Sequence, residues 1–193
     1  MAITRVCCDV RGVITASGTC SSTCCKVIGA WVMDCQYIAT ETVATAQAGL
    51  CALGTMTNWT VTPITQRILH RLDLDSSFAN TYKYSTTYNS DKGCVEWSLE
   101  SEFRVDYSTP DQKCAVHILA GKRNPMVVQN SRSNFAYEIL NYTGEATWSF
   151  EQDGCKARLK LNVSDGTMGA LPLQVGGTDA ATATFITNNL STV

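Results

Sequence analysis

The clearest pattern in the chain is an alternation of apolar and polar side chains over residues 93–107, GCVEWSLESEFRVDY. Interrupted only at position 101, the apolar positions are Val95, Trp97, Leu99, Phe103, Val105 and Tyr107. The polar positions between them are Glu96, Ser98, Glu100, Glu102, Arg104 and Asp106. A period of two is the side-chain spacing of a β-strand, so the pattern predicts a long strand that buries one face and exposes a largely acidic one.

A second alternating pattern occupies residues 145–151 and 155–163, on either side of an Asp153-Gly154 turn. It predicts a β-hairpin whose inward positions are Ala146, Trp148, Phe150, Cys155, Ala157, Leu159, Leu161 and Val163. Its outward positions are basic. One arrangement places these basic positions beside the acidic face, within a sheet or across a subunit boundary. Each pair of opposite charges would then stabilise the strand register by a few tenths to about 1 kcal/mol. The alternative is that the two faces are unrelated and both solvated. The candidate contact or lumen face is therefore Glu96, Glu100, Glu102, Asp106, Lys156, Arg158 and Lys160.

Weaker patterns predict the remaining elements. Further strands are expected at 3–14, 26–37, 56–62, 80–88, 125–130, 135–140 and 180–187, while 41–53 and 65–74 fit either a helix or a strand. One short helix is expected after Thr109, which can cap it, with Pro110 in its first turn, Gln112 completing a capping box and Gly121 beyond its end. The predicted fold class is mainly β: a β-sandwich or barrel-like domain with one flanking helix at about residues 110–120.

Length and composition favour a single domain. At 193 residues and 45% hydrophobic content, the chain can bury one sizeable core. We expect one β-rich domain over residues 1–175, with a cysteine-rich N-terminal part at 1–54 and a core at 55–175. Residues 176–193 carry a single charge, on Asp179, which suits a C-terminal arm that lies on a neighbouring subunit.

Charge and hydropathy narrow the possible partners. The net charge of −2 gives no basic surface that would grip DNA or RNA. No apolar run approaches the ~18 residues needed to cross a bilayer, and the N-terminus lacks the pattern of a secretion signal. We therefore expect no membrane contact, and synthesis in the cytoplasm.

The chain contains ten cysteines, many more than a cytoplasmic protein usually has, and seven of them precede residue 52. Neighbouring residues on a strand point to opposite faces, so each member of the pairs 7–8 and 24–25 would need a different partner, which can lie on another chain. The disulfide candidates are Cys7, Cys8, Cys20, Cys24, Cys25, Cys35, Cys51, Cys94 and Cys155.

Two other uses of the cysteines remain open. Some can be small buried core residues, as expected for Cys114 on the predicted helix. A structural zinc site is the other alternative, but no C-x-x-C occurs and the only histidines are His70 and His117. Neither histidine lies in a nucleophile–base pattern, so we expect no enzyme, no metal site and no cofactor.

The second half of the chain resembles bacteriophage tail tube proteins. The resembling segments, within about residues 93–175, are W-S-L-E-S at 97–101, T-P-D-Q-K at 109–113, Y-T-G-E-A at 142–146 and G-A-L at 169–171. The order of a long acidic strand, a short helix and a two-stranded hairpin carries the similarity more than any single motif. The resemblance implies a β-sandwich or barrel that stacks as hexameric rings around a lumen through which DNA passes.

The expected function is that of a structural virion component of a tailed bacteriophage, most specifically a disulfide-stabilised tail tube subunit. Its partners would be further copies of itself, other virion proteins and, transiently and without sequence preference, DNA. It would be made in the host cytoplasm and end in the virion. The alternatives are a phage head decoration or neck protein, and a secreted, disulfide-rich β-sandwich binding module. The secreted alternative fits the N-x-S/T sites at Asn58, Asn141, Asn162 and Asn189.

Overall fold

In the computed structural model of the chain, the described residues are 26–44, 55–63, 67–91, 94–131, 136–142, 144, 146–166 and 170–190. The strand expected at 3–14 lies outside them, as does most of the ambiguous segment at 41–53. Within the described residues the chain is mainly β, with two short helices. The predicted fold class is confirmed.

The strands are β1 (Val27–Met33), β2 (Ile38–Ala44), β3 (Thr55–Val61), β4 (Leu69–Leu72), β5 (Thr81–Asn89), β6 (Cys94–Asp106), β7 (Met126–Asn130), β8 (Tyr137–Leu140), β9 (Ser149–Asp153), β10 (Lys156–Gly166) and β11 (Ala170–Pro172). The helices are α1 (Pro110–Leu119) and α2 (Asp179–Asn188). The strands pair as a five-stranded sheet in the order β11-β8-β7-β1-β4, a four-stranded sheet in the order β5-β6-β10-β9, and a two-stranded ribbon of β2 and β3.

The two larger sheets and α1 enclose a first hydrophobic core. Its fully buried side chains include Val32 and Val128 from the five-stranded sheet, Phe103 and Leu159 from the four-stranded sheet, and Leu119 from α1. The alternating sequence patterns therefore place their apolar sides inward, as in a β-sandwich with a flanking helix.

A second core lies on the opposite face of the five-stranded sheet. There Val127 and Ile139 pack with Met56 and Trp59 of the ribbon and with Ile186 of α2. The five-stranded sheet is thus buried on both faces, whereas the four-stranded sheet packs on the core through one face only. No element within the described part of the chain covers the other face of the four-stranded sheet.

The sheets are joined at one corner by the segment that follows β4. Residues 65–74, which the sequence left open between helix and strand, contain β4 in the five-stranded sheet. The chain then runs beside the end of β6, where Asp75 N donates to Arg104 O and Asp106 N to Asp73 O, both at 2.8 Å. This crossing continues the pairing of β6 beyond the end of β5 and gives the sandwich a barrel-like corner.

Helix α1 begins as the sequence predicts. Thr109 caps it, since its hydroxyl accepts from Gln112 N at 3.3 Å, and Gly121 follows the helix with a φ of 70°. The prediction of a full capping box is wrong, because the side chain of Gln112 does not bond back to the cap residue. The buried side chain of Gln112 instead contacts the residue that follows β4, and its Oε1 accepts a hydrogen bond from Asp73 N at 2.9 Å. That hydrogen bond ties the helix to the chain leaving β4.

The C-terminal segment differs from the prediction. Residues 180–187, expected as a strand, lie in helix α2, whose Ile186 is buried in the second core. The strand prediction rested on threonine, whose β-branching disfavours helices. In α2 the hydroxyls of Thr182, Thr184 and Thr187 each donate to the carbonyl four residues earlier, which satisfies them inside the helix.

A candidate assembly surface on the four-stranded sheet

The four-stranded sheet brings the predicted acidic and basic rows together. In the pairing register of β6 with β10, Asp106 is opposite Lys156, Glu102 opposite Lys160, and Glu100 opposite Asn162. On the other side of β6, Lys83 of β5 is opposite Glu100. Of the alternatives left open by the sequence, adjacency within one sheet is therefore the one observed. The side chain of Glu96 is outside the described set, although its backbone pairs with Thr87.

The burial of alternate side chains along the described parts of β6 and β10 determines that the charged side chains between them point away from the core. Leu99 and Val105 of β6 and Leu161 of β10 have no exposed surface. Because a slip of one residue would move every apolar side chain to the solvent face, the core strongly specifies the register. The charged positions are therefore held outward by the burial of their neighbours.

Ion pairs link several of the outward side chains. Arg158 Nε lies 3.1 Å from Glu102 Oε1, and Arg104 Nη2 lies 3.4 Å from Asp153 Oδ2. These groups are roughly one-third exposed or more, so each pair contributes at most about 1 kcal/mol. The pairs organise the surface more than they stabilise the fold.

Asp75 is a member of the surface that the sequence reasoning missed. It lies in the loop after β4, with its carboxylate 3.6 Å from Arg104 Nε and 4.0 Å from Lys156 Nζ. Hydrogen bonds from the hydroxyl and amide of Ser77 lower the pKa of Asp75, and the two cations lower it further. The D-S-S sequence at 75–77, typical of an Asx turn, was the available signal, but the long-range partners were not predictable from it.

Some charges on the surface have no ion-pair partner within the described part of the chain. They are Lys83, Glu100, Glu151 and Lys160. A shallow depression of about 440 Å³ lies beside Lys83, Glu100 and Lys160 and is also lined by Thr81, Ser101 and Glu102. Positive and negative groups alternate across the surface, so it has no strong net sign.

Cys114 and Cys155 are free, exposed thiols, and Cys35 is a free cysteine on an exposed residue whose sulfur is itself partly buried. Cys114 was expected in the core and Cys155 on the inward face, and both predictions are wrong, because the first lies on the outer side of α1 and the second in the β9–β10 turn. The Cys35 sulfur lies partly buried near Met33 O. Desolvation, helped by Glu41 and Asp34, raises the pKa of its thiol to about 12.

The remaining disulfide candidates are not located by the structure. Cys7, Cys8, Cys20, Cys24, Cys25 and Cys51 lie outside the described residues, and Cys94 begins β6 with its side chain outside the described set. Disulfide pairing therefore stays a prediction.

The two histidines lie in unlike surroundings. His70 is half-buried on β4, and burial lowers its pKa, opposed by the carboxylate of Asp34. His117 is exposed on α1, where its Nε2 is 2.9 Å from Tyr107 Oη and its ring meets Phe150 edge-on. Among the described residues, no group of three or more His, Cys, Asp and Glu side chains is placed to hold a metal ion.

One of the four N-x-S/T sites is closed by the fold. Asn141 is 1% exposed, and its amide donates to Arg123 O at 3.1 Å and to Ala146 O at 2.8 Å. The folded chain cannot present that amide to a modifying enzyme, whereas Asn58 on the ribbon is exposed. The fold therefore removes one of the four sites from the support for the secreted alternative.

The geometry defines a mainly β sandwich with a charged sheet surface. Comparison with protein-family profiles, with curated proteins and with solved structures finds no match to the chain. No helix in the described part of the chain is long and apolar enough to span a membrane.

Proposed function

We propose that the chain is a structural subunit of a tailed-bacteriophage virion, most specifically a tail tube subunit that assembles into stacked hexameric rings around a DNA passage. The observation that carries the proposal is the four-stranded sheet, which packs on the core through one face and, within the described residues, leaves its charged face and its two edge strands without a covering or pairing element. An exposed strand edge is a template for pairing with another chain, so such a sheet favours assembly.

Head-to-tail joining of this sheet is consistent with its strand directions. Its four strands are antiparallel throughout, so β5 and β9, at the two edges, run in opposite directions. If β9 of one copy meets β5 of the next after a simple rotation, the new pair is antiparallel as well. Such a heterologous contact closes as a ring when the rotation between successive copies divides a full turn, and it forms an open filament otherwise.

The placement of the rest of the subunit favours an inward charged face. The five-stranded sheet, both helices and the ribbon all lie behind the buried face of the four-stranded sheet. A ring with that bulk inside would fill its own centre, whereas a ring with the bulk outside leaves a central passage lined by the charged face.

The dimensions of such a ring suit a passage for DNA. Six copies, the number that the resemblance implies, would contribute about 24 strands, and at about 4.8 Å per strand the barrel would be about 37 Å across before strand tilt widens it. Inward side chains would reduce this width but leave room for a duplex.

The charge pattern suits transient passage more than binding. A protein grips DNA by neutralising phosphates with unopposed lysine and arginine side chains. On this face Arg158 is beside Glu102, and Arg104 beside Asp75 and Asp153. A lining with this balance would not hold a polyanion tightly, in agreement with sequence-independent transit.

The proposal is tested by determining the size and shape of the particles that the purified full-length chain forms. Light scattering and negative-stain microscopy at micromolar concentration should show rings or stacked tubes of uniform diameter with a central opening. Closed particles without an axial opening would favour the head decoration or neck alternative. A homogeneous monomer that stays monomeric at every concentration would contradict the proposal and favour a binding module.

A further inference from the structure

The two outer edges of the four-stranded sheet differ in charge. The β5 strand, TYKYSTTYN, carries one charged residue, Lys83, and is otherwise composed of threonine, tyrosine, serine and asparagine. The β9 strand, SFEQD, carries Glu151 and Asp153. One edge is therefore basic and the other acidic, so two copies are complementary when the β9 edge of one faces the β5 edge of another.

Two of these charges are available for a partner. Lys83 and Glu151 are exposed, and within the described residues neither forms an ion pair. Asp153 is already engaged by Arg104 at 3.4 Å. Lys83 and Glu151 thus form the one opposite-charge combination at the described edges in which both members lack a partner.

We infer that β9 of one copy pairs antiparallel with β5 of the next and that Glu151 lies opposite Lys83 across this junction, fixing its register. The inference rests on the proposed function and names the contact through which its rings close. Both residues belong to the exposed face: Lys83 is in register with Glu100, and Glu151 with Arg158. The two side chains are therefore on the same side of the joined sheet.

The neighbouring positions agree with this register. With Glu151 opposite Lys83, Gln152 is opposite Tyr82, and Phe150 is opposite position 84, all on the side of the sheet that faces the core. Phe150 and Tyr82 are both partly buried side chains packed against the first core. The joined edge would therefore extend that core across the boundary between copies.

Other registers are less favourable. A slip of one residue would place exposed-face positions opposite core-face positions, which the two-residue period of a strand forbids. A slip of two residues would put Lys83 opposite Ser149, or opposite Asp153 in competition with Arg104. Opposite charges directly across a strand pair stabilise it and like charges destabilise it, so the Glu151–Lys83 pair selects one register.

Charge reversal tests the contact on the full-length chain. Lys83→Glu and Glu151→Lys are made singly and together, with Lys160→Glu as the matched control, since it reverses a charge on the same face but on the interior strand β10, opposite neither Lys83 nor Glu151. Thermal melting checks that each variant folds. Assembly is measured by light scattering across a concentration series. Each single variant should assemble roughly two- to thirtyfold more weakly at each junction than wild type, while the double variant and Lys160→Glu should assemble normally.

The possible outcomes separate this inference from the proposed function. If wild type forms rings and both single variants match Lys160→Glu, the junction is wrong and the proposed function stands. If Asp153→Lys, and not Glu151→Lys, restores assembly in the Lys83→Glu background, the register is wrong by two residues. If folded wild type never assembles, the proposed function itself fails.

Discussion

His70 couples the stability of the fold to pH. Burial lowers its pKa in the folded chain below the ordinary value of 6.5, so the unfolded chain takes up a proton first as the pH falls. The folded chain should therefore keep its full stability above pH 6.5 and lose stability as the pH falls from 6.5 towards the pKa of His70 in the folded chain. Below that pKa, His70 should cause no further loss. In urea unfolding between pH 7.5 and 5.0, His70→Gln should lose less stability than wild type. His117→Gln, which replaces an exposed histidine, is the control, and equal pH slopes for wild type and His70→Gln would contradict the assignment.

The cysteines make a separate prediction at the same scale. If the vicinal pairs 7–8 and 24–25 find partners on neighbouring copies, oxidised particles should give a ladder on a non-reducing gel that collapses to 21.0 kDa with reductant. Cys35 should take little part, because with a pKa near 12 it is almost wholly protonated at neutral pH. A single monomer band in both lanes, or ten free thiols by mass spectrometry, would rule out a covalent lattice.

At the scale of elements, the sequence predicts those structural features that depend only on residues close together in the chain. The two-residue period of β6 and β10 arises because their apolar side chains are buried on one face of the sheet. The start of α1 is determined by Thr109 as its cap and by Pro110 in its first turn. Both are local properties, and both are confirmed.

Features that depend on distant partners were not predictable in the same way. Gln112 has the right spacing for a capping box, yet it bonds to Asp73, which is distant in sequence and comes near only when the sheets join. Asp75 likewise meets Arg104 and Lys156 only after folding. Helix α2 was missed because its propensity is weak and it is stabilised by packing on the second core.

That packing makes α2 part of the folded domain. Ile186 is 2% exposed between α2 and the five-stranded sheet, so Ile186→Ala should destabilise the chain by about 2–4 kcal/mol. Thr187→Ala, on the exposed side of the same helix, is the control and should change stability by less than about 1 kcal/mol. Chemical denaturation of the two variants measures the difference. Equal stability would mean that α2 does not belong to the core.

For the whole molecule, three layers decide which surface is available. Among the described elements, the ribbon and α2 cover one side of the five-stranded sheet and the four-stranded sheet covers the other, so the broad sheet face that no described element covers is the charged one. In the proposed ring, assembly and DNA passage would use different parts of one sheet: its edges would join copies, and its charged face would line the passage.

This division predicts the effect of replacing acids on the face. Glu100→Lys with Glu102→Lys should leave folding and ring formation intact, because exposed charges contribute little to stability. The lining would then carry unopposed lysines, and the rings should bind duplex DNA with an affinity that falls steeply as salt is raised. Lys160→Glu on β10 is the opposite-sign control and should not bind. An absence of DNA binding by well-formed rings of the double variant would show that the charged face does not line the passage.

The most direct measurement is a cryo-electron microscopy map of the assembled particle at a resolution that traces individual strands. The expected map shows one continuous antiparallel sheet around the ring, in which β9 of each copy lies beside β5 of the next and the face bearing Glu100, Glu102 and Lys160 points to the lumen. A map in which the copies join elsewhere, leaving the edges of β5 and β9 exposed or turning the charged face outward, would contradict assembly through this sheet.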